Sequence, residues 1–328
     1  MRRLLRRFSS FFLVALICAI LLPSCDRASA TDWQQSLLDR GYVSVPLKLS
    51  PGPWALILEA NLAGKEDALL LLDIGDPYVE VDAELGNQLP TASDQTSISV
   101  QGAGGAQQSE RTVTLPSLKA GSFTANNIQA LVLPDSQTGT AGYHQGVAGL
   151  SLLMPHNAII DVGGKRIYLQ PEGDAPEQQT LAQFGRTMAQ AGFAGIELTP
   201  TPDGPFTIPV EIDGNAALPF LIDTGGPYTF LSEELAQALQ LAIDRNLPII
   251  GGGAGNQAIA FYRTLLANKT FRVGPLNWLP VELKVFDMKT TGLDQVLGTR
   301  IHGSVGVDWM MAHNAVIDLA GKRLFGKY

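Results

Sequence analysis

The alternation of apolar and polar positions divides this chain into short apolar runs closed by turn residues, and the series is run through twice. Residues 54–62 (WALILEANL) and 205–212 (PFTIPVEI) read as strands. Each is followed by a turn at Gly64 or Gly214 and by a second apolar strand running into Asp73 or Asp223, so each half opens on a hairpin. Residues 81–89 and 231–241 then read as short helices, and Ser232 ahead of Glu233 and Glu234 suits a helix N-terminus. A hairpin with a glycine-rich tip comes next, then further strands, the last ending in a His-Asn-Ala-x-Ile-Asp turn. The segment 171–192 differs. Its polar start reads as a linker, and TLAQFGRTMAQAG after it as one helix, which makes it the boundary between two modules.

The two halves match residue by residue. LLLLDIGDPYVEVDAEL at 69–85 corresponds to PFLIDTGGPYTFLSEEL at 219–235, with six of thirteen positions identical from Asp73/Asp223 to Leu85/Leu235. HNAIIDVGGKR at 156–166 matches HNAVIDLAGKR at 313–323 at eight of eleven positions. The glycine tips are GAGG at 102–105 and GGGAG at 251–255. The offsets are 150 residues at the aspartates, 151 at the tips and 157 at the distal blocks. One duplicated module of about 140 residues accounts for them, whereas a solenoid would repeat every ~20–50 residues.

Composition adds the environment. Arg2, Arg3, Arg6 and Arg7 precede an uncharged apolar stretch of twelve residues, Phe11 to Leu22. That is a targeting segment, too short to span a bilayer, which takes ~20 apolar residues. Leu22-Pro23-Ser24-Cys25 is similar to a lipobox with Cys25 as the lipidated residue, while Ala28-Ser29-Ala30 offers ordinary cleavage after residue 30. Either way the body, from residue 31 onward, is expected to be exported, in the periplasm or cell envelope, with membrane attachment if Cys25 is lipidated. The only cysteines are Cys18 and Cys25, so the body has no disulfide, thiolate metal site or cysteine nucleophile. Without residues 1–24 and their four arginines the formal charge falls from −8 to −12, which argues against nucleic acid as a partner.

An apolar strand ending in LIDTG at 221–225, a downstream glycine-tipped hairpin, and a late apolar-apolar-Gly element (Val147-Ala148-Gly149; Val305-Gly306) occur in this order in both halves. In these features the chain resembles the retropepsin-like and pepsin-like aspartic peptidases, and more narrowly the bacterial exported proteins with gag-polyprotein-type aspartyl protease domains. The resemblance covers about residues 41–328. It implies an all-β fold of two pseudo-symmetric retropepsin-like barrel lobes with a central cleft, the N-terminal lobe at 31–170 and the C-terminal lobe at 193–328. It also implies a dyad of Asp73 and Asp223 supported by the turn residues Gly75, Thr224 and Gly225, with Thr224 bonding across to the opposite turn. The hairpin tips, with Gly102, Gly104, Gly253 and Gly255, would be flaps over a peptide bound as an added strand.

Such a pair has a simple chemistry. Two carboxylates about 3 Å apart share one proton; the ionised member deprotonates a water and the protonated one polarises the scissile carbonyl. No metal or organic cofactor is required. The first copy departs from the pattern at two places: Ile74 stands where the family has Thr or Ser, and Asp76 follows Gly75 where a small residue is usual. Other residues suggest less. His156 and His313 read as turn histidines satisfied by backbone, and Asp161 and Asp318 as turn residues ahead of Gly-Lys-Arg hairpin ends. His144 and His302 have no ligand spacing around them, and no HExxH, P-loop or G-x-S-x-G elbow is present. The expectation is an exported aspartic endopeptidase, monomeric because one chain holds both half-sites, acting on a peptide or protein substrate. The alternative is an impaired relative that binds peptides in the envelope. The sequence leaves open whether residues 31–50 occupy the cleft.

Overall fold

The computed structural model describes residues 32–52, 55–92, 97–101, 107–133, 144–171, 176–252, 258–266, 269–280, 282–290 and 292–328. The targeting segment, Cys25 and the flap glycines Gly102, Gly104, Gly253 and Gly255 therefore lie outside the described residues. The fold is mostly β, two barrel-like lobes with few helices, as the sequence predicts. Among the described residues no helix is long and apolar enough to cross a membrane.

Each lobe is built on the expected hairpin. Strands Leu56–Leu62 and Lys65–Leu72 pair antiparallel, as do Phe206–Ile212 and Leu218–Ile222. Ala63-Gly64 and Asp213-Gly214 both take positive φ, the conformation that turns a chain tightly between two twisted strands. Ala68, Leu70 and Leu72 alternate into the core with less buried neighbours, so the period of two fixes which face is inside. The strand that ends at Asp73 is then flanked by a parallel one: Gly146–Ala148 runs beside Lys65–Leu72, and Gly303–Val305 beside Leu218–Ile222. Their carbonyls accept the aspartate N–H groups, Ala148 from Asp73 at 3.2 Å and Val305 from Asp223 at 3.1 Å. Both aspartates thus leave a strand held on both sides.

The helices differ from expectation. Val81 and Leu231 lie in strands, Val79–Val81 and Phe230–Ser232, because their backbones pair with the neighbouring 146–148 and 303–305 strands. The helices that follow are short, Ala83–Gly86 and Glu233–Ala238. Asp82 and Ser232 cap them, accepting from the N–H of Leu85 and Leu235 at 2.8 and 3.2 Å. Two further helices, Leu150–Leu153 and Val307–Ala312, stand where further strands were expected. Each starts at a glycine, and a Cβ on Gly149 or Gly306 would lie 1.9 Å from the carbonyl oxygen of Tyr78 or 2.5 Å from the carbonyl carbon of Tyr228.

A six-stranded antiparallel layer joins the lobes, in the order Ala194–Glu197, Arg323–Gly326, Val316–Asp318, Ile159–Asp161, Arg166–Leu169, Val43–Leu49. At its centre the strand 159–161 pairs with its own repeat, Ile160 opposite Ile317. Residues 43–49 are thus a strand of this layer. The helix Trp33–Leu38 and the inter-lobe helix Gln178–Gln190 pack beside it, where Trp33, Leu37, Tyr168, Phe184, Met188 and Phe325 form a cluster of their own. The 178–190 helix confirms the helix expected over 180–192 and starts two residues earlier.

Candidate active site

Both aspartates stand on tight turns at the lobe junction, and their side chains hydrogen-bond to each other. Gly225 and Gly226 donate backbone N–H to Asp223 Oδ1 at 2.8 and 3.0 Å, whereas Asp73 Oδ1 receives Gly75 N–H at 2.7 Å. Burial raises both carboxyls. Asp73 goes well above the usual carboxylate range, through burial first and then the nearby charges of Asp223 and Asp76. Asp223 accepts one amide N–H more than Asp73, and that extra donor favours the charge on Asp223 and the proton on Asp73. The pair that residue types alone left unassigned has a polarity.

The glycines serve this closeness through space. Their φ angles lie outside the left-handed region, so it is the missing side chain that matters. A Cβ on Gly225 would lie 2.1 Å from Asp73 Oδ2, and one on Gly75 would lie 3.0 Å from Asp223 Oδ1. Any side chain would push the carboxyls apart.

Thr224 reaches across the junction as expected. Its fully buried hydroxyl donates to the Leu72 carbonyl at 2.8 Å and accepts the Ile74 N–H at 3.1 Å. Ile74, fully buried on the other side, has no hydroxyl to return the bond, so the lock is one-sided. Behind the turns, Ser151 Oγ accepts from Val79 N–H at 3.0 Å, and the matching Asp308 accepts from Thr229 N–H at 2.8 Å.

This geometry has known counterparts. The aspartyl protease profile matches residues 58–152 and again 208–309, more than half of the chain. The chain belongs to the aspartyl protease family. Each match contains one aspartate turn, so the family's duplicated form is the one seen here. The fold is similar to that of the aspartic proteinase from Irpex lacteus (TM-score 0.50, 13% identity, covering 88% of this chain and 97% of that one). It is similar also to basic 7S globulin from soybean (TM-score 0.50, 15% identity, 88% and 95%). No curated protein matches the chain.

Within this aspartyl protease fold the sequence left one group of residues undetected. Asp76 points inward, toward the pair, and hydrogen-bonds Glu80, which donates to it. Glu80, on the strand Val79–Val81, is 8% exposed. Glu110, on the outgoing strand of the first flap hairpin, is 4% exposed, and its Oε2 has no partner among the described residues. Burial is the first cause of elevation for all three; the mutual repulsion adds to it for Asp76, pushed up to about 7, and for Glu80, raised well above its ordinary value. Among the described residues no group of His, Cys, Asp and Glu is placed to hold a metal ion. His156 and His313 rest on backbone carbonyls, Nδ1 to Gln170 O at 2.8 Å and to Trp309 O at 3.0 Å. Asp161 and Asp318 accept from Gly164 and Gly321, as turn aspartates do.

Proposed function

We propose that the protein is an exported aspartic endopeptidase in which Asp73 and Asp223 form the catalytic dyad, with Gly75, Thr224 and Gly225 as supporting turn residues. The hydrogen-bonded carboxyl pair at the junction of two lobes carries this reading. Asp223, ionised, takes a proton from a water poised over the pair. Asp73 donates its proton toward the carbonyl oxygen as the water adds to the carbonyl carbon. The proton gained by Asp223 then passes to the departing amine as the C–N bond breaks, and one hydroxyl of the gem-diol returns its proton to Asp73 as the new carboxyl forms. The basic, apolar N-terminus supports export, with membrane attachment if Cys25 is lipidated.

A second reading, a peptide-binding relative without turnover, is favoured by Ile74, which leaves the cross-lobe lock one-sided. Digestion of a diverse peptide mixture from pH 3 to 8, with Asp73→Asn and Asp223→Asn beside the wild type, separates the two. Cleavage lost in both variants is the expected result. Folded wild-type protein that binds peptides yet cuts none would establish the second reading.

A further inference from the structure

The two lobes are copies, yet the walls they present beside the aspartate pair are opposite in chemistry. In the first lobe one row across the sheet is Glu80, Leu131, Thr112; in the second the same row is Phe230, Lys284, Arg263. Glu110 and Phe261 each lie two residues before the last member of their row, so they too are equivalent. Asp76 corresponds to Gly226. Phe230 and Phe261, which pack with Phe286 at ring-centroid distances of 5.1–5.8 Å in the second lobe, stand where Glu80 and Glu110 stand in the first, and Asp76 adds a third carboxyl beside them.

Three acids gathered on one inner wall need a reason, because burying a charge without a partner is costly. No described Lys or Arg makes an ion pair with any of them. Among the described residues, the other titratable groups that act on them are Asp73, Asp223 and Tyr78, with Asp203 beside Tyr78, none of them cationic. Asp76 and Glu80 share a proton, but Glu110 Oε2 has no partner among the described residues. Asp76, half-buried, is the accessible end of the group and stands three residues from Asp73. The field there draws in a cation, and the missing partner of Glu110 is a hydrogen-bond donor. Among the described residues no group of acids is placed to hold a metal ion.

We propose that Asp76, Glu80 and Glu110 form a subsite for a cationic side chain, so that the cleft selects peptides with lysine or arginine next to the bond held at the Asp73–Asp223 pair. This rests on the peptidase reading for its position and not for its binding. The incoming ammonium or guanidinium donates to Asp76 and Glu110 and takes the place of the shared proton. Binding therefore releases a proton, and affinity for a lysine peptide rises with pH up to about 7, where Asp76 gives up its proton unaided.

The test is calorimetric titration of the full chain with uncharged decapeptides through which a single lysine is moved, each matched by norleucine. Titrations in two buffers of different ionisation heat count the protons released. At one register the lysine peptide should bind about tenfold or more tightly, with about one proton released. Glu110→Gln and Glu80→Gln should each bring the lysine-to-norleucine ratio close to one. That ratio is internal to each variant and does not depend on how much of it is folded. Equal affinity of every matched pair, no binding of any lysine peptide, or a preference that survives both substitutions overturns the subsite. Cleavage assayed in parallel keeps the two claims apart. Cutting without lysine preference leaves the peptidase and removes the subsite. Lysine-selective binding without cutting does the reverse.

Discussion

Thr224 does alone what two residues would share in a symmetric site. Its hydroxyl satisfies the Leu72 carbonyl and the Ile74 amide, both deep in the junction. Thr224→Val keeps the volume and leaves both groups buried and unpaired. It should lower the unfolding free energy by about 2–4 kcal/mol, read from urea denaturation, since each orphaned group costs ~1–3 kcal/mol. Ile74→Thr tests the other half of the lock. If the one-sided lock limits turnover, the new hydroxyl should raise peptide cleavage roughly fivefold, the worth of one net hydrogen bond of ~1 kcal/mol. An unchanged rate would mean that Thr224 suffices. Both residues were readable in the sequence, because the duplicated turn marks position 74 as the odd one out. The polarity of the aspartate pair was not. It depends on one extra donor, Gly226 N–H, and on Asp76 facing inward, and neither follows from residue types.

At the level of elements, the hairpins were legible because glycine turns and period-two apolar runs are local signals. The helices at Leu150–Leu153 and Val307–Ala312 were not, since four to six residues show too little periodicity. The same blindness hid the acidic wall. Reading 81–89 as a helix passed over Glu80 on the short strand just before it, and Glu110 lies thirty residues further along on a different strand. Only sheet register brings them together. The inter-lobe helix was foreseen as a connector, but it also covers the shared sheet. Phe184 is 2% exposed and packs edge-on to Trp33 and Phe325 at centroid distances of 6.3 and 5.7 Å. Phe184→Ala should cost about 3–5 kcal/mol of stability in the same urea titration.

For the molecule as a whole, buried acids set the response to pH. Asp73, Asp76, Glu80, Glu110 and Asp223 all bind protons more tightly in the folded chain than in the unfolded one. Their contribution to stability is therefore full below the ordinary carboxylate range near 4 and is lost as pH rises through the raised value of each, about 7 for Asp76. The melting temperature should fall by about 5 °C or more from pH 4.5 to 7, and Glu80→Gln should flatten that slope in a thermal scan. Because one chain holds both aspartates, specific activity should be unchanged on dilution, with a monomer seen by light scattering. The central pairing of Ile160 with Ile317 says something about descent. A strand that pairs antiparallel with its own copy is the seam that two identical subunits form about a two-fold axis. The layout is that of a homodimer whose genes were joined end to end. In such a dimer every substitution strikes both walls of the cleft at once. With both halves in one chain that constraint is absent, so one side can carry acids where the other carries phenylalanines.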